Sequence, residues 1–338
     1  MKNLNLMLAI IFFCTFIASC RENTTLVPIK AQITNTINLS SLQLRGVDFF
    51  DSNNGFIVGD SGTIFKTTDG GNSWIFINSI NSHGLGAVKI LNMNSVFICG
   101  IGQIIYSNDG GVNWISAQAS DLPGYIMLYS FCFLNNNGWA VGGTMNHNAD
   151  APAIFYTTNK GNNWIEKPIF GWNIIDGQLY SVLLLDTSKI LISVGKFWPN
   201  DTIRIYKSTN SGETFNTVYF NNIRSGIFSM SSYDKNKIFA SGWGKILIST
   251  NQGDTWSTQI WGGDSIKLNS VFAISNEKAI ICGDKGTLLL TNDGGNTWTP
   301  ISSGTTEDLQ CITSPPNSSF AIAVGKHGIV VKISFIQN

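Results

Sequence analysis

One octapeptide recurs along this chain and constrains it more than any other feature. Thr67 to Trp74 reads Thr-Thr-Asp-Gly-Gly-Asn-Ser-Trp, and near copies begin at Ser107, Thr157, Ser208, Ser249 and Thr291. Each copy keeps a hydroxyl at the first place and Asp or Asn at the third (Asp69, Asp109, Asn159, Asn210, Asn251, Asp293). Gly stands fifth and an aromatic eighth (Trp74, Trp114, Trp164, Phe215, Trp256, Trp298). Such residues predict a turn: the Asp or Asn oxygen accepts backbone N–H groups two or three residues on, and Gly supplies a positive φ without steric penalty. The aromatic then returns the chain to the core. A unit repeated at a fixed period sets the architecture ahead of any local propensity.

The steps between these aromatics are 40, 50, 51, 41 and 42 residues. One four-stranded propeller blade occupies roughly 40–50 residues. Around each copy run short apolar stretches punctuated by Gly, Asn and Asp, the all-β signature. In the first repeat, Val47 to Phe50, Phe56 to Val58, Thr63 to Thr67 and Trp74 to Asn78 read as strands A to D. A seventh start at Leu309 to Thr313 leads to strands at Phe320 to Val324 and Ile329 to Ser334, and there the chain stops, one strand short. The missing strand is expected from the N-terminal β-like stretch near Ile29 to Ile33, which leaves no open sheet edge. The expectation is an all-β, seven-bladed propeller over residues 29–338, with six blades the alternative.

The motif resembles the Asp-box, or BNR, repeat of sialidases and of the photosystem II assembly-factor-like propellers. Asn159, Asn210 and Asn251 depart from it by replacing Asp, which keeps an acceptor oxygen and removes a charge. The assembly-factor-like group is the nearer resemblance, over roughly Leu42 to Ile333, because short blades carry Gly-bracketed B–C turns ahead of several boxes. That resemblance implies a non-enzymatic protein that holds partner polypeptides during assembly.

The first residues read Lys2, an apolar run from Leu4 to Phe16, then Ile17-Ala18-Ser19-Cys20. A charged start, a short apolar core and small residues before a cleavage point form a secretory signal, and the run is short for a membrane span. The ending resembles a bacterial lipobox, which implies a signal peptide over residues 1–19, lipidation of Cys20, and a tether over 20–28. The expected protein is exported, held to the cell envelope by its lipid alone, and monomeric. With 21 basic against 21 acidic side chains there is no basic stripe for a nucleic acid. Cys99 and Cys282 share one repeat position, while Cys132 and Cys311 fall on the strands that follow. Disulfides between neighbouring blades and buried small hydrophobes both remain open. No metal-ligand spacing occurs and no cofactor is expected.

Strands running outward from a channel put the A–B turns and the Asp-boxes on one face, and the B–C turns and D–A connections on the other. The second face varies: blade three inserts Gly142 to Pro152 and blade four Gly195 to Asp201. Trp172, Trp198, Trp243 and Trp261 all fall in loops of that face, near Arg204, Arg224 and His147. A rigid scaffold with variable loops on one side is a usual platform for a site, and aromatic rings with Arg are what recognition surfaces enrich. These seven residues are the candidate ligand-binding set, for a protein or glycan partner in the envelope. The enzyme alternative is a glycoside hydrolase or sialidase. A sialidase carries Arg-Ile-Pro near its start, whereas Gly46 follows Arg45 here. A glycosidase needs two carboxylates about 5–10 Å apart, for which Asp60, Asp150, Asp201 and Asp284 are the nominees.

Overall fold

In a computed structural model, which describes residues 28–77, 81–119, 122–145, 151–168, 177–196, 202–221 and 226–337, the repeats form seven antiparallel sheets. In blades 1 to 6 strands A to D follow chain order from the inner to the outer place. Blade 1 shows the pattern: Leu44–Phe49, Gly55–Gly59, Ile64–Thr67 and Ile75–Ile77. Blade 3 gains a fifth, outermost strand, Gln118–Ala119, which runs parallel to Asn163–Glu166. No described helix is long and apolar enough to cross a membrane. The signal segment and Cys20 lie outside the described residues.

The ring closes as the short last repeat demands. Ile29–Asn38 is the outer strand of blade 7, antiparallel to Ile329–Gln337, with Ile29 opposite Gln337 and Asn38 opposite Ile329. Residues Ile29, Ala31 and Ile33 pack into the apolar layer between blades 6 and 7 with Leu288, Leu290 and Ile333. The first and last described strands therefore share one sheet, and among the described residues every blade has its outer strand.

The six boxes bind each of blades 1 to 6 to itself and to the blade before it. In blade 1 the Gly71 amide donates to Thr67 Oγ1 (2.9 Å), while the Ser73 amide donates to Asp69 Oδ1 (2.9 Å). The carboxylate thus reaches four residues on, and in blade 2 Asp109 Oδ1 accepts the Val112 amide three residues on (3.1 Å) as well as the Asn113 amide (2.9 Å), while the first-place hydroxyl of blade 1 takes the nearer amides at 69 and 71. Asn159, Asn210 and Asn251 make the same bond to the amides of Asn163, Thr214 and Thr255 at 2.9–3.0 Å, so loss of the charge leaves the turn intact. The fourth-place amide reaches back to the A–B turn of its own blade: Gly70 to the Asn53 carbonyl, Lys160 to Asn136, Gly294 to Glu277. This puts boxes and A–B turns on one face.

The fifth-place glycine answers two demands. Its φ lies between 80° and 89° in all six boxes. A Cβ there would also strike the preceding blade, 2.2 Å from Trp139 at Gly212, 2.4 Å from Phe97 at Gly161 and 2.7 Å from Phe56 at Gly111. The eighth-place aromatic fills the same seam: Trp114 meets Phe56 edge-on at 6.1 Å, Phe215 meets Trp139 at 6.5 Å, and Trp298 meets Phe239 at 6.1 Å. Trp139 accordingly sits in the core, 6% exposed, at the position equivalent to Phe56.

The four described cysteines are free thiols, Cys99 and Cys282 buried, Cys132 and Cys311 half-buried. Burial pushes all four thiols above their usual range, the state of inert packing residues. They fill the wall as small hydrophobes.

Candidate functional site

All seven A strands begin with one device. A Leu or Ile that is fully buried (Leu44, Leu85, Leu128, Leu179, Ile227, Leu268, Leu309, each 0% exposed) is followed by one residue that the ladder skips, and then by a small residue. The register shifts between Leu44 and Gly46, Leu85 and Ala87, Leu128 and Ser130, Leu179 and Ser181, Ile227 and Ser229, Leu268 and Ser270, and Leu309 and Cys311. Each shift is a β-bulge, in which the ladder skips the extra residue and its side chain is re-aimed. Seven bulges at one level point Arg45, Gly86, Tyr129, Tyr180, Phe228, Asn269 and Gln310 into the channel mouth, where they line a cavity of about 280 Å³ with Met127 and Lys267.

Strand A starts where the D–A connection ends, so this mouth opens on the face opposite the boxes. The B–C turns join it there: the amides of Asp60, Ile101, Trp243, Asp284 and Lys326 donate to the carbonyls of Gln43, Gly84, Gly226, Lys267 and Asp308, each just before a strand A. Beneath the mouth the small residues fasten blade to blade. Ser130, Ser181, Ser229 and Ser270 accept the amides of Val182, Met230, Val271 and Ile312 on the next blade at 3.1–3.3 Å. Strand A is the inner edge of its sheet, and these hydroxyls satisfy N–H groups that no neighbouring strand covers. Deeper still, Asp48 accepts the Ile90 amide (2.8 Å) and pairs with Lys89 (3.0 Å), whose ammonium it holds above the usual lysine range.

The mouth has two halves. Tyr129, Tyr180 and Phe228 form a continuous arc, with ring centroids 5.4 Å and then 5.3 Å apart. The Gln178 amide oxygen anchors it by accepting the Tyr129 hydroxyl at 2.9 Å. Across from the arc stand Arg45, Lys267, Asn269 and Gln310. Arg45 Nε is held by Asp60 at 2.6 Å, which fixes the guanidinium at the rim. Asn269 donates to Asp284 (3.1 Å) and to the Leu309 carbonyl (2.8 Å). Gly86 supplies no side chain and leaves a notch; a Cβ there would lie 2.3 Å from the Leu128 carbonyl oxygen. A group entering this mouth meets a flat apolar wall on one side and cations and amides on the other.

Sequence reasoning missed this ring and met Arg45 as the residue before Gly46 in the test for a sialidase motif. The signal was present: Leu-Arg-Gly, Leu-Gly-Ala, Leu-Tyr-Ser twice, Ile-Phe-Ser, Leu-Asn-Ser and Leu-Gln-Cys recur at blade spacing. Of the expected binding set, Trp172, Trp198, Arg224 and His147 lie outside the described residues. Trp243 and Trp261 are on the expected face, both half-buried. Trp243 belongs with the mouth, since Lys267 Nζ sits 4.6 Å from its ring centroid. Trp261 packs with Ile266 against the core between blades 5 and 6. Arg204 lies on strand C of blade 4 (Thr202–Ser208), stacked over Phe220 of strand D at 5.1 Å, in the outer half of the blade. Of the nominated carboxylates, Asp60 and Asp284 are engaged by Arg45 and Asn269, and Asp150 and Asp201 lie outside the described residues. No carboxylate is among the described residues lining the mouth, and no described cluster of His, Cys, Asp and Glu has metal-binding geometry.

Comparison with known proteins adds three findings. A family model described as photosynthesis system II assembly factor YCF48 matches residues 30–169. Among solved structures, YCF48 bound to a D1 peptide superposes with a TM-score of 0.66 at 18% identity, covering 88% of this chain and 95% of that one. YCF48 from Cyanidioschyzon merolae gives 0.64 at 18% identity over 90% and 98% of the two chains. The glycoside hydrolase family 74 xyloglucanase from Xanthomonas campestris gives 0.67 at 14% identity, covering 90% of this chain and 53% of the enzyme. No curated protein sequence matches. At these identities the structures share the fold alone. The chain is a seven-bladed Asp-box propeller that resembles the YCF48 assembly factors, in sequence across its closing strand and first three blades and in fold around the whole ring.

Proposed function

We propose that this protein is a lipid-anchored binding scaffold of the bacterial cell envelope that holds a segment of a partner protein in the channel mouth opposite its Asp-boxes. The observation that carries the reading is the bulge ring, in which an aromatic arc faces a cationic and amide arc across about 280 Å³. An extended polypeptide presents alternating apolar side chains and polar backbone groups, and a mouth with one apolar and one polar wall complements both. The peptide-bound state of a YCF48 of the same fold lends support. Trp243, through Lys267, extends the surface, and Trp172, Trp198, Trp261, Arg204, Arg224 and His147 are the proposed outer contacts. Export, the signal peptide over 1–19 and lipidation of Cys20 belong to the same proposal, and the monomer is its working unit.

Paired truncation of Tyr180 and Phe228 to Ala tests the site. Both side chains are half-buried and project into the channel mouth, so the fold should survive and its denaturation midpoint should stay close to wild type. Capture of protein from solubilised native envelope should weaken by about 2 kcal/mol or more, the range of interface hot spots. Equal capture by wild type and double variant, with a glycan-array signal that responds to the same change, would transfer the site to a carbohydrate ligand. Equal behaviour in both assays would remove the mouth as the site.

A further inference from the structure

The closing strand also fixes which way the ring faces. Asn38 pairs with Ile329, directly after the B–C turn Lys326–Gly328, whereas Ile29 pairs with Gln337 at the far end of the sheet. The chain therefore enters blade 7 on the Asp-box face. A second contact confirms the level: the Ile29 amide donates to Asn292 Oδ1 (3.0 Å) and Asn292 Nδ2 donates to the Ile29 carbonyl (3.1 Å). Asn292 is the second residue of the blade 6 box. Whatever precedes Ile29 leaves from that face, clamped to two blades at its point of departure.

Nine Cα steps separate Cys20 from Ile29, and a fully extended chain covers at most about 3.3–3.6 Å per step, roughly 30–32 Å in all. The ten-residue strand Ile29–Asn38 also spans nine Cα steps and measures about 30 Å from face to face at the usual strand rise of about 3.3 Å. A tether doubling back along blade 7 to put the mouth against a bilayer would spend its entire reach on the side of the molecule. Leaving straight from the box face costs no such reach.

We infer that the Asp-box face is the membrane-facing side and that the channel mouth opens toward the aqueous phase, about one strand length farther from the lipid. This rests on the proposed lipidation of Cys20. It specifies the partner segment at the mouth as one presented from water, a soluble chain or a protruding terminus or loop, and not a segment embedded in the same leaflet.

The test uses the full lipidated chain reconstituted in phosphatidylcholine and phosphatidylglycerol vesicles containing spin-labelled phosphatidylcholine. A thiol-reactive fluorophore is placed through Val112→Cys, on the box of blade 2 and 74% exposed, or through Thr306→Cys, in the exposed connection into blade 7 on the mouth face. Unmutated protein gives the background from the four wall thiols. Quenching at 112 should exceed that at 306 at least twofold. Equal or reversed quenching in protein that floats with the vesicles overturns the orientation while leaving the anchor in place. Protein that does not float, or that floats equally well as Cys20→Ala, overturns the anchor and with it the orientation.

Discussion

Replacing Lys160 with Gly should stabilise this protein, although it removes a side chain and adds none. The fourth place of every box has a left-handed backbone. Gly70, Gly110 and Gly294 occupy it with φ of 71°, 68° and 72°, whereas blades 3, 4 and 5 put Lys160, Ser211 and Gln252 there at 60°, 57° and 59°. An L-residue pays about 1–2 kcal/mol in that region. Glycine returns about 0.4–1 kcal/mol of this through its freer unfolded chain. The net expectation for Lys160→Gly is a gain of about 0.8 kcal/mol, the difference between the middles of those two ranges. Lys160 is the cleanest of the three, because Ser211 Oγ donates to the Thr187 carbonyl (3.2 Å) and Gln252 accepts Lys189 Nζ (2.7 Å), contacts whose loss would offset the gain. Lys160→Ala keeps the Cβ and serves as the reference that removes only the long side chain. Equilibrium urea denaturation of wild type, Lys160→Ala and Lys160→Gly reads the effect as a midpoint shift at constant slope. If Lys160→Gly falls at or below Lys160→Ala, the strain argument for the Asn boxes is wrong.

Other expectations follow from the same geometry. Trp164→Ala should cost about 3–5 kcal/mol as a large-to-small core change, because the ring is 1% exposed and its N–H donates to the Gly161 carbonyl at 3.0 Å; a denaturation midpoint near wild type would contradict the seam assignment. Asp69 is held at about 2 by the Ser73 hydroxyl and amide, and Asp109 at about 2 by the Asn113 amide and side chain. A depressed carboxyl stabilises the fold above its ordinary value of 3.8 and loses that contribution as pH falls toward 2. Asp69→Asn with Asp109→Asn, which copies the Asn boxes, should therefore flatten the stability profile between those limits, and an unchanged acid limb in pH-stepped denaturation would count against it. Deleting Ile29–Asn38 should expose the outer edge of Ile329–Gln337, seen as aggregation in light scattering; a monodisperse truncated chain of native stability would refute closure by this strand.

The architecture was legible because the box is chemically over-determined. Its Gly must satisfy both φ and the approach of the preceding blade, its hydroxyl and Asx oxygen each take a defined amide, and its aromatic fills the seam, so all four types recur together. The missing strand of blade 7 was legible by counting. The mouth was not, since the ladder skips a bulge residue and its seven occupants are of six residue types: Arg45, Gly86, Tyr129 with Tyr180, Phe228, Asn269 and Gln310. The regular part of the device lies in its flanks, a buried Leu or Ile before and a Gly, Ala, Ser or Cys after, which read as ordinary strand composition unless aligned. Tryptophan drew attention to the outer loops, where Trp261 proves to pack against Ile266 and the core.

Pairing of Ile29 with Gln337 also sets a timetable. The first strand of the propeller to leave the ribosome joins the sheet that is made last, so the interface between blade 7 and blade 1 cannot mature until nearly the whole chain has been delivered. Contacts this distant in sequence come late in folding, after their loop-closure entropy is met. A chain exported from its N-terminus would carry Ile29–Asn38 as an unpartnered strand through most of its passage, open to capture by a chaperone or by the last blade of another copy.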